Sequence, residues 1–308
     1  MGLYKQYKES LKATESEEIF DLLIYRPLAF LFVKATYSTS LTPNQTSLIA
    51  MLFGVLAGIA FGFGYYNYVV LGAILYIFCN VLDCADGQIA RLKKNGTKVG
   101  RIVDGFIDYV VSTAVFCGIA AGVTRMYSSG SFIPYGNFLN VNPILYIWLL
   151  ALIAGLSSGL QSFVFDFFRN RFLEIVYDKA SSVEGEINEF EQERIRLKND
   201  KNTGHFIDLF LISIYLKYTK LQIKVGSGKN KRPDYAKPDP KAYFFATKNV
   251  LRWWSFIGST THITACIICA FLNNLELFLW ICILPFNILL LVLYFIQIKV
   301  NKSFINGE

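Results

Sequence analysis

Long apolar runs constrain this chain more than any other feature of its sequence. Six runs of about 20 residues are each long enough to cross the roughly 30 Å hydrocarbon core of a bilayer as a helix. They cover residues 46–64, 68–90, 100–124, 143–168, 256–272 and 277–298. Hydrophobic residues make up 54% of the chain and charged residues only 17%. The sequence therefore predicts an all-α, polytopic integral membrane protein with six transmembrane helices.

The basic residues between these runs indicate the orientation. The connection between the second and third runs carries Arg91, Lys93, Lys94, Lys98 and Arg101, whereas the loops on the opposite side carry only Arg125. By the positive-inside rule, this connection and both termini face the cytoplasm. We expect a bacterial inner-membrane protein. The charged N-terminus has no apolar core followed by a cleavage site, so no removable signal peptide is expected.

The runs divide the chain into four parts. Residues 1–40 form an N-terminal cytoplasmic segment with an interfacial helix over 15–38, because charges and Pro27 interrupt its apolar stretch. Residues 41–171 hold the first four transmembrane helices, and Thr42 and Pro43 are suited to start the first of them. Residues 172–252 form a basic cytoplasmic helical insertion. Residues 253–308 hold the last two transmembrane helices and a tail.

Several patterns within these parts have structural readings. Gly54, Gly58 and Gly62, spaced four apart, predict a close contact between helices. The pair Cys266 and Cys269 lies in an apolar run and is expected to pack in the core. For the insertion two roles stay open: contact with anionic lipid headgroups, or a solvated helical hairpin. Nothing in it resembles a nucleic-acid-binding module, so no nucleic acid partner is expected.

Four aspartates lie where the second and third runs meet their connection. Asp83 and Asp86 are three residues apart, and Asp104 and Asp108 four apart, so each pair shares one helix face. The short connection over 92–99 is expected to bring the two helices together as an antiparallel pair. Clustered carboxylates at reduced dielectric must bind protons or cations, and all-oxygen ligands favour Mg²⁺, Mn²⁺ or Ca²⁺ over zinc. Two such ions would neutralise the cluster and suit phosphoryl chemistry.

The residues around the aspartates extend this argument. Gly87, Ala90 and Gly100 leave room for a ligand beside the backbone, and Arg91 can reach a phosphate. The four aspartates have two other interpretations. They could be a solvated group of charges at helix ends, or the cation pathway of a cation-coupled transporter. A transporter gives no reason for glycines, an alanine and an arginine at these positions, so an enzyme is favoured.

The motif D-x-x-D-G-x-x-A-R, eight further residues and then G-x-x-x-D-x-x-x-D resembles the signature of the CDP-alcohol phosphotransferase family. All eight defined positions match: Asp83, Asp86, Gly87, Ala90, Arg91, Gly100, Asp104 and Asp108. The resemblance covers about residues 40–172. Upstream, TPNQTS is similar to a Thr-Pro-Asn segment of the family, with Ser47 where threonine is usual.

This resemblance implies an enzyme that displaces CMP from a CDP-linked alcohol with the hydroxyl of a second alcohol. It implies two divalent cations, Mg²⁺ or Mn²⁺, bound by the four aspartates, with Asp108 also acting as the general base. The CDP moiety would be bound by six further residues: Asn44, Ser47, Gly87, Ala90, Arg91 and Gly100. The family resemblance, together with the helix face that carries Gly54, Gly58 and Gly62, favours a homodimer.

Two arginines at the end of the fourth run bear on the acceptor. Arg169 and Arg171 are at a position that in the family resembles the site for a phosphate-bearing acceptor. CDP-diacylglycerol and inositol phosphate are therefore the expected substrates, as in a phosphatidylinositol phosphate synthase, with glycerol phosphate and serine as competitors. A CDP-linked headgroup as donor, with diacylglycerol or ceramide as acceptor, stays open. Lys34, Arg125 and His262 are weaker candidates, expected to snorkel, to lie on the opposite face and to pack between helices.

Overall fold

The computed structural model describes residues 3–11, 14–96, 98–135, 141–177, 183–199, 209–210, 212–213, 215–217 and 238–305. These residues form helices and turns, with no strand among them. The helices are α1 (Leu3–Ser10), α2 (Arg26–Thr36), α3 (Pro43–Gly62), α4 (Tyr66–Lys93), α5 (Lys98–Ser128), α6 (Pro143–Tyr177), α7 (Val183–Asn199), α8 (Pro240–Trp254), α9 (Ser259–Phe271), α10 (Leu275–Ile283) and α11 (Pro285–Ile305). The expected all-α fold is confirmed.

Five stretches of the described residues are helical, long and apolar enough to cross a membrane. They are α3, α4, Val103–Ser128 within α5, α6 and Leu275–Phe304, which joins α10 to α11. The helices α8 and α9 meet the same criteria as a pair, with a bend of 41° at the break between them. The polytopic membrane architecture is confirmed, with six spans when the bent pair counts as one.

Some boundaries of the spans differ from those predicted. The fourth span continues as α6 to Tyr177 rather than ending at residue 168, because helix formation does not stop where charged residues begin. The fifth is preceded by α8 and broken at Gly258, whose extended backbone (ψ 168°) makes it the N-cap of α9. The proposed domain boundaries at 171 and 252 thus fall inside helices, while the division into four parts stays a prediction.

The helix α3 begins where the sequence predicted, and it packs against both α4 and α5. Its N-cap is Thr42: the hydroxyl accepts a hydrogen bond from the backbone N–H of Gln45 (3.3 Å), and the Gln45 side chain accepts one from the Thr42 N–H (3.0 Å). This reciprocal pair satisfies two donors that the first turn would otherwise leave open. The helix is thereby fixed at the end that lies beside the aspartates.

Glycines bring the backbones of α3 and α5 into direct contact. A Cβ atom at Gly58 would collide with the backbone of Ala114, and one at Gly118 would collide with the backbone of Gly58. The predicted close helix contact is confirmed for this part of the glycine face. Since α5 occupies the face within the chain, the face no longer supports the expectation of a dimer.

The N-terminal segment packs onto the bundle through one side of α2. Ala29 and Val33 are fully buried and cluster with Ala85 and Ile89 of α4. On its other side Leu31 is 66% exposed, as expected of a helix at a membrane interface. The α-helix is shorter than the predicted range of 15–38, and its location at the membrane interface stays a prediction. The segment before it buries several charged side chains that the sequence placed at the surface.

The insertion is described only in part. Its first helix, α7, agrees with the expected helix, yet it is not wholly solvated: Ile187 and Phe190 are buried against Ile212 and Leu216. The basic loop over 218–237, on which the proposed lipid contact depends, lies outside the described residues. That contact therefore stays a prediction.

Candidate metal and nucleotide site

Three of the four motif aspartates converge. Asp83 and Asp86 lie near the end of α4 and Asp104 near the start of α5, and each offers one carboxylate oxygen within 4.8 Å of the other two. The expected close antiparallel pairing of α4 and α5 is wrong, however. Among the described residues, each packs far more closely on α3 than on the other, because the glycines of α3 draw α5 toward it. The aspartates meet only near the connecting turn.

That turn reverses the chain over four residues. Lys94 adopts a left-handed conformation (φ 52°, ψ 36°), and its backbone N–H and that of Asn95 both donate to the carbonyl of Ala90. The left-handed residue ends α4 and satisfies its last carbonyls. In the sequence, only the shortness of the connection between the two apolar runs indicated a tight turn here.

The three carboxylates form one wall of a cavity of about 630 Å³. Most of the residues predicted for the metal and CDP sites line it: Asn44, Ser47, Asp83, Asp86, Gly87, Ala90, Arg91, Gly100 and Asp104. Six unpredicted residues also line it: Asp21, Arg26, Pro43, Cys84, Lys94 and Gly96. The sequence predicted the lining residues on α3, α4 and α5. It did not predict the part of the lining that the N-terminal segment contributes.

Ser47 has a more specific position than its predicted place in the CDP site. It is buried, and its hydroxyl donates to Oδ2 of Asp86 across 2.5 Å. A carboxylate held in this way presents its other oxygen in a fixed direction, as a metal ligand requires. The geometry therefore makes Ser47 a residue that orients Asp86.

The side chain of Arg91 folds back over Gly87. A Cβ atom at Gly87 would lie 3.3 Å from both terminal nitrogens of Arg91, so a larger residue would crowd the guanidinium. Nε of Arg91 donates to the backbone carbonyl of Ser10 at the end of α1, while Nη2 is buried without a hydrogen-bond partner. The motif glycine thus leaves room for the motif arginine.

Asp108 lies one turn beyond Asp104 and outside the group of three carboxylates. It is an exposed residue, whereas Asp83 and Asp104 are half-buried and Asp86 is buried. Its charge still acts on Asp83, so it belongs to the same electrostatic site. The roles predicted for Asp108, as metal ligand and as general base, stay predictions.

The two predicted acceptor residues, Arg169 and Arg171, lie outside the cavity. Among the described residues that line the cavity, neither Arg169 nor Arg171 occurs. Arg169 forms an ion pair of 2.9 Å with Asp166 and lies over the ring of Phe165. Arg171 is exposed and interacts with the hydroxyl of Tyr243. Asp166, one turn before Arg169, was not singled out from the sequence.

The three weaker candidates lie outside the cavity. Nζ of Lys34 donates to the side chain of Gln6 (2.8 Å), and Arg125 lies over the ring of Phe63 at the far end of α5. His262 is buried and bonded to the carbonyl of Gly258 and to Gln161 (2.7 and 2.6 Å), which confirms the packing role expected of it. Cys266 and Cys269 are likewise buried in the apolar core, as predicted.

The unpredicted wall of the cavity comes from a buried set of charged residues at and before the start of α2. Arg26 pairs with Glu17 across 2.6 Å and approaches Asp21 at 3.9 Å. Burial lowers the pKa of Arg26, but the negative charges of Glu17 and Asp21 more than offset this effect, so its pKa is raised. The arginine therefore stays charged. The signal in the sequence was that charged residues interrupt an apolar run, where they must find partners.

Glu18 ties this segment to the second half of the chain. Its carboxyl group accepts hydrogen bonds from the backbone N–H groups of Thr260 (3.0 Å) and Thr261 (3.4 Å), in the first turn of α9. Gly258 makes the contact possible, because a Cβ atom there would collide with the Glu18 carboxyl group. Burial, together with the nearby charge of Asp21, raises the pKa of Glu18 well above its usual value.

The donor set suits a divalent metal ion. Oxygen atoms on opposite sides of a bound Mg²⁺ or Ca²⁺ ion are about 4 to 5 Å apart, which the spread of the three carboxylate oxygens allows. The set is all oxygen, as these ions require, and no Cys thiolate or His imidazole belongs to it. Asp83, Asp86 and Asp104 could therefore hold a metal ion without rearrangement of the helices.

Comparison with known proteins agrees with this geometry. A family model described as CDP-alcohol phosphatidyltransferase matches residues 40–172. A bifunctional IPC transferase and DIPP synthase of Thermococcus kodakarensis is 27% identical over 143 residues, which are 46% of this chain and 28% of that protein. An archaetidylinositol phosphate synthase of Pyrococcus horikoshii is 34% identical over 89 residues, 29% of this chain and 46% of that protein.

A phosphatidylinositol phosphate synthase of Corynebacterium glutamicum is 28% identical over 107 residues, 35% of this chain and 46% of that protein. The chain thus spans less than half the length of each of these relatives in the matched regions. The matched segment is nevertheless the one that carries the aspartates, the glycines and Arg91. Residues 40–172 of this integral membrane protein are therefore similar to the CDP-alcohol phosphatidyltransferase family.

Proposed function

We propose that the protein transfers a phosphatidyl group from CDP-diacylglycerol to a polar alcohol, with inositol phosphate as the favoured acceptor, and releases CMP. The observation that carries this proposal is the convergence of Asp83, Asp86 and Asp104 within 4.8 Å on the wall of the cavity that Arg91 also lines. Carboxylates that hold a cation beside an arginine suit the binding of a diphosphate.

The reaction is a displacement at the phosphorus atom that carries the diacylglycerol. The oxygen of the acceptor hydroxyl forms a bond to this phosphorus, and the bond to the oxygen of CMP breaks. Asp108 accepts the proton of the hydroxyl as general base, a role that its exposure beside the carboxylate group permits. CMP leaves with the bonding electron pair.

Divalent cations complete the site in this proposal, and we propose two of them, Mg²⁺ or Mn²⁺. Asp83, Asp86 and Asp104 would hold the first, and Asp108 would help to hold the second. When bound, such ions neutralise the diphosphate and the charge that develops on the leaving oxygen. Ser47 keeps Asp86 in the orientation that ligation needs. Gly87, Ala90 and Gly100 would leave space for the nucleotide, and Asn44 would help to bind it.

The acceptor assignment rests on Arg169 and Arg171 and on the relatives. Two of the relatives are named for the synthesis of an inositol phosphate lipid. In the protein, Arg169 is paired with Asp166, so a phosphorylated acceptor would have to compete with that carboxylate for the guanidinium. Glycerol phosphate and serine remain the competing acceptors. A homodimer and a bacterial inner membrane stay predictions.

The orientation of the site is also part of the proposal. Basic residues surround the aspartates in the connecting turn, among them Lys93 and Lys94, whereas few lie near the opposite ends of the spans. By the positive-inside rule, this distribution of basic residues supports a cytoplasmic location of the cavity.

The deciding experiment supplies purified protein with labelled CDP-diacylglycerol, Mg²⁺ or Mn²⁺ and a panel of alcohols. We expect CMP release and a labelled lipid product only with metal present, and fastest with inositol phosphate. The Asp83→Asn variant is the control for metal-dependent turnover. Transfer to diacylglycerol or ceramide from a CDP-linked headgroup would replace the proposed donor and acceptor. Cation flux across vesicles without CMP release would replace the enzyme by a transporter.

A further inference from the structure

Arg26 stands out among the residues that line the cavity because it comes from outside the family domain. It is the first residue of α2, before residues 40–172, and it lines the same cavity as the three convergent aspartates. The side chain is 9% exposed, so an arginine has been brought almost wholly out of water beside a site for anionic ligands. Burying an unpaired charge carries a large free-energy cost, so a buried guanidinium needs hydrogen-bonding or oppositely charged partners.

Within the protein, only some of the N–H donors of the Arg26 guanidinium have an acceptor. Nη2 pairs with Glu17 across 2.6 Å, and Nε is 3.9 Å from Asp21, beyond hydrogen-bonding distance. Nε and Nη1 are both buried without a hydrogen-bond partner. Glu17 thus fixes one edge of the guanidinium and leaves donor groups open, each of which carries a free-energy cost while it is unmet.

Arg91 shows the same property in the same cavity. Its Nε is held by the carbonyl of Ser10, its Nη2 is buried without a partner, and its charge and that of Arg26 act on each other. Two arginines that repel each other and that both have open donors are stabilised when an anion with several acceptor oxygens binds between them. A phosphate group has this chemistry.

We propose that Arg26 is a substrate-binding residue, which together with Arg91 binds a phosphate group of the substrate. The inference rests on the proposed function. It adds the N-terminal segment to the substrate site, since that segment supplies a contact that the family domain alone lacks. The phosphate can belong to the diphosphate of the nucleotide or to a phosphorylated acceptor, and the experiment separates the two.

The test compares the wild-type protein with three variants in detergent with Mg²⁺ present. Arg26→Gln removes the contact, and Arg26→Gln combined with Glu17→Gln removes both members of the ion pair. Arg252→Gln is the matched control, because Arg252 holds the same segment through the carbonyls of Glu17 and Thr14 and is not among the described residues that line the cavity. Thermal unfolding establishes that each protein is folded.

Calorimetric titration with CDP, competition with cytidine and the KM for inositol phosphate are then measured. A contact to the nucleotide predicts about tenfold weaker binding of CDP in both Arg26 variants, with little change for cytidine or for the control. A contact to the acceptor predicts a comparable rise in the KM for inositol phosphate alone. Equal losses for CDP and cytidine, or losses matched by Arg252→Gln, would overturn the proposal in favour of a structural role.

The outcome is separable from that of the proposed function. Wild-type protein that binds CDP but releases no CMP with any alcohol would remove the proposed activity, and the comparison of CDP with cytidine would still decide the role of Arg26. Active wild-type protein with unchanged binding and KM in both Arg26 variants would remove this inference alone.

Discussion

The hydroxyl of Ser47 donates a hydrogen bond of 2.5 Å to the carboxylate of Asp86, which joins the start of α3 to the metal-binding end of α4. We expect Ser47→Ala to weaken Mn²⁺ binding by about 10- to 100-fold, because the loss of an orienting hydrogen bond has effects of this size. Mn²⁺ titration followed by electron paramagnetic resonance measures it. Ser47→Thr keeps the hydroxyl and should retain affinity; equal affinity in the alanine variant would refute the orienting role.

Substitution of Asp108 and of Asp104 should have different effects on metal binding. Asp108→Asn is expected to lower the rate of CMP release by about 100-fold or more, since the amide cannot accept the acceptor's proton. The protein should still insert, fold and bind one metal ion, because Asp108 lies outside the group of three carboxylates. Asp104→Asn should lose both the first metal ion and turnover. Unchanged turnover in Asp108→Asn would exclude Asp108 from the reaction.

The role of Arg169 can be tested against a similar ion pair elsewhere. Arg169→Ala should raise the KM for a phosphorylated acceptor by about tenfold while kcat changes little, because it removes binding to a group remote from the reacting atoms. The control is Arg196→Ala, which breaks a pair of the same i, i+3 spacing with Glu193 on α7. Steady-state kinetics with inositol phosphate decide the matter. An unaltered KM would mean that the acceptor site lies elsewhere.

Glu18 predicts a dependence of stability on pH. A carboxyl group whose pKa is raised by folding stabilises the folded protein while it is protonated, and this contribution is lost as pH rises from its ordinary value through the raised one. Glu18→Gln cannot titrate, so its melting temperature should match the wild type at about pH 4 and exceed it increasingly at higher pH. Thermal unfolding over a pH series tests this. A difference that does not vary with pH would contradict it.

The contact between α3 and α5 tolerates no side chain at Gly118. We expect Gly118→Ala to destabilise the protein by about 1 to 3 kcal/mol, since its Cβ atom would collide with the backbone of Gly58. Gly159→Ala on α6 is the control, because no other atom lies within 4 Å of a Cβ atom there. Thermal unfolding in detergent compares the two. Equal melting temperatures would show that the helices separate without cost.

Much of the fold followed from simple patterns. The apolar runs located the spans, because only helices satisfy their own backbone within a bilayer. Thr42 and Pro43 marked the start of α3 correctly, and the spacing of the glycines predicted the close approach of another helix. The identity of that helix could not be read from α3 alone. It depends on Gly118 and Gly122 of α5, whose complementary positions become apparent only when both helices are placed.

The site was predictable where its residues share a helix. Asp83, Asp86, Gly87 and Arg91 lie within three turns of α4, so their spacing fixes their relation. Arg26 is 57 positions from Asp83 along the chain, and no local period connects them. The ion pair between Arg26 and Glu17 and the contact of Glu18 with α9 depend on the packing of distant segments, which is where reasoning from the sequence stopped.

The attachment of Glu18 to α9 has a consequence for biogenesis. The carboxyl group and the N–H of Thr260 are 242 positions apart, so this bond cannot exist while the ribosome is still translating the middle of the chain. A nascent chain with four inserted spans would already hold α2 against α4, yet the segment that bears Arg26 would lack its attachment to α9. The full set of contacts that hold the N-terminal segment would thus wait for the synthesis of α9.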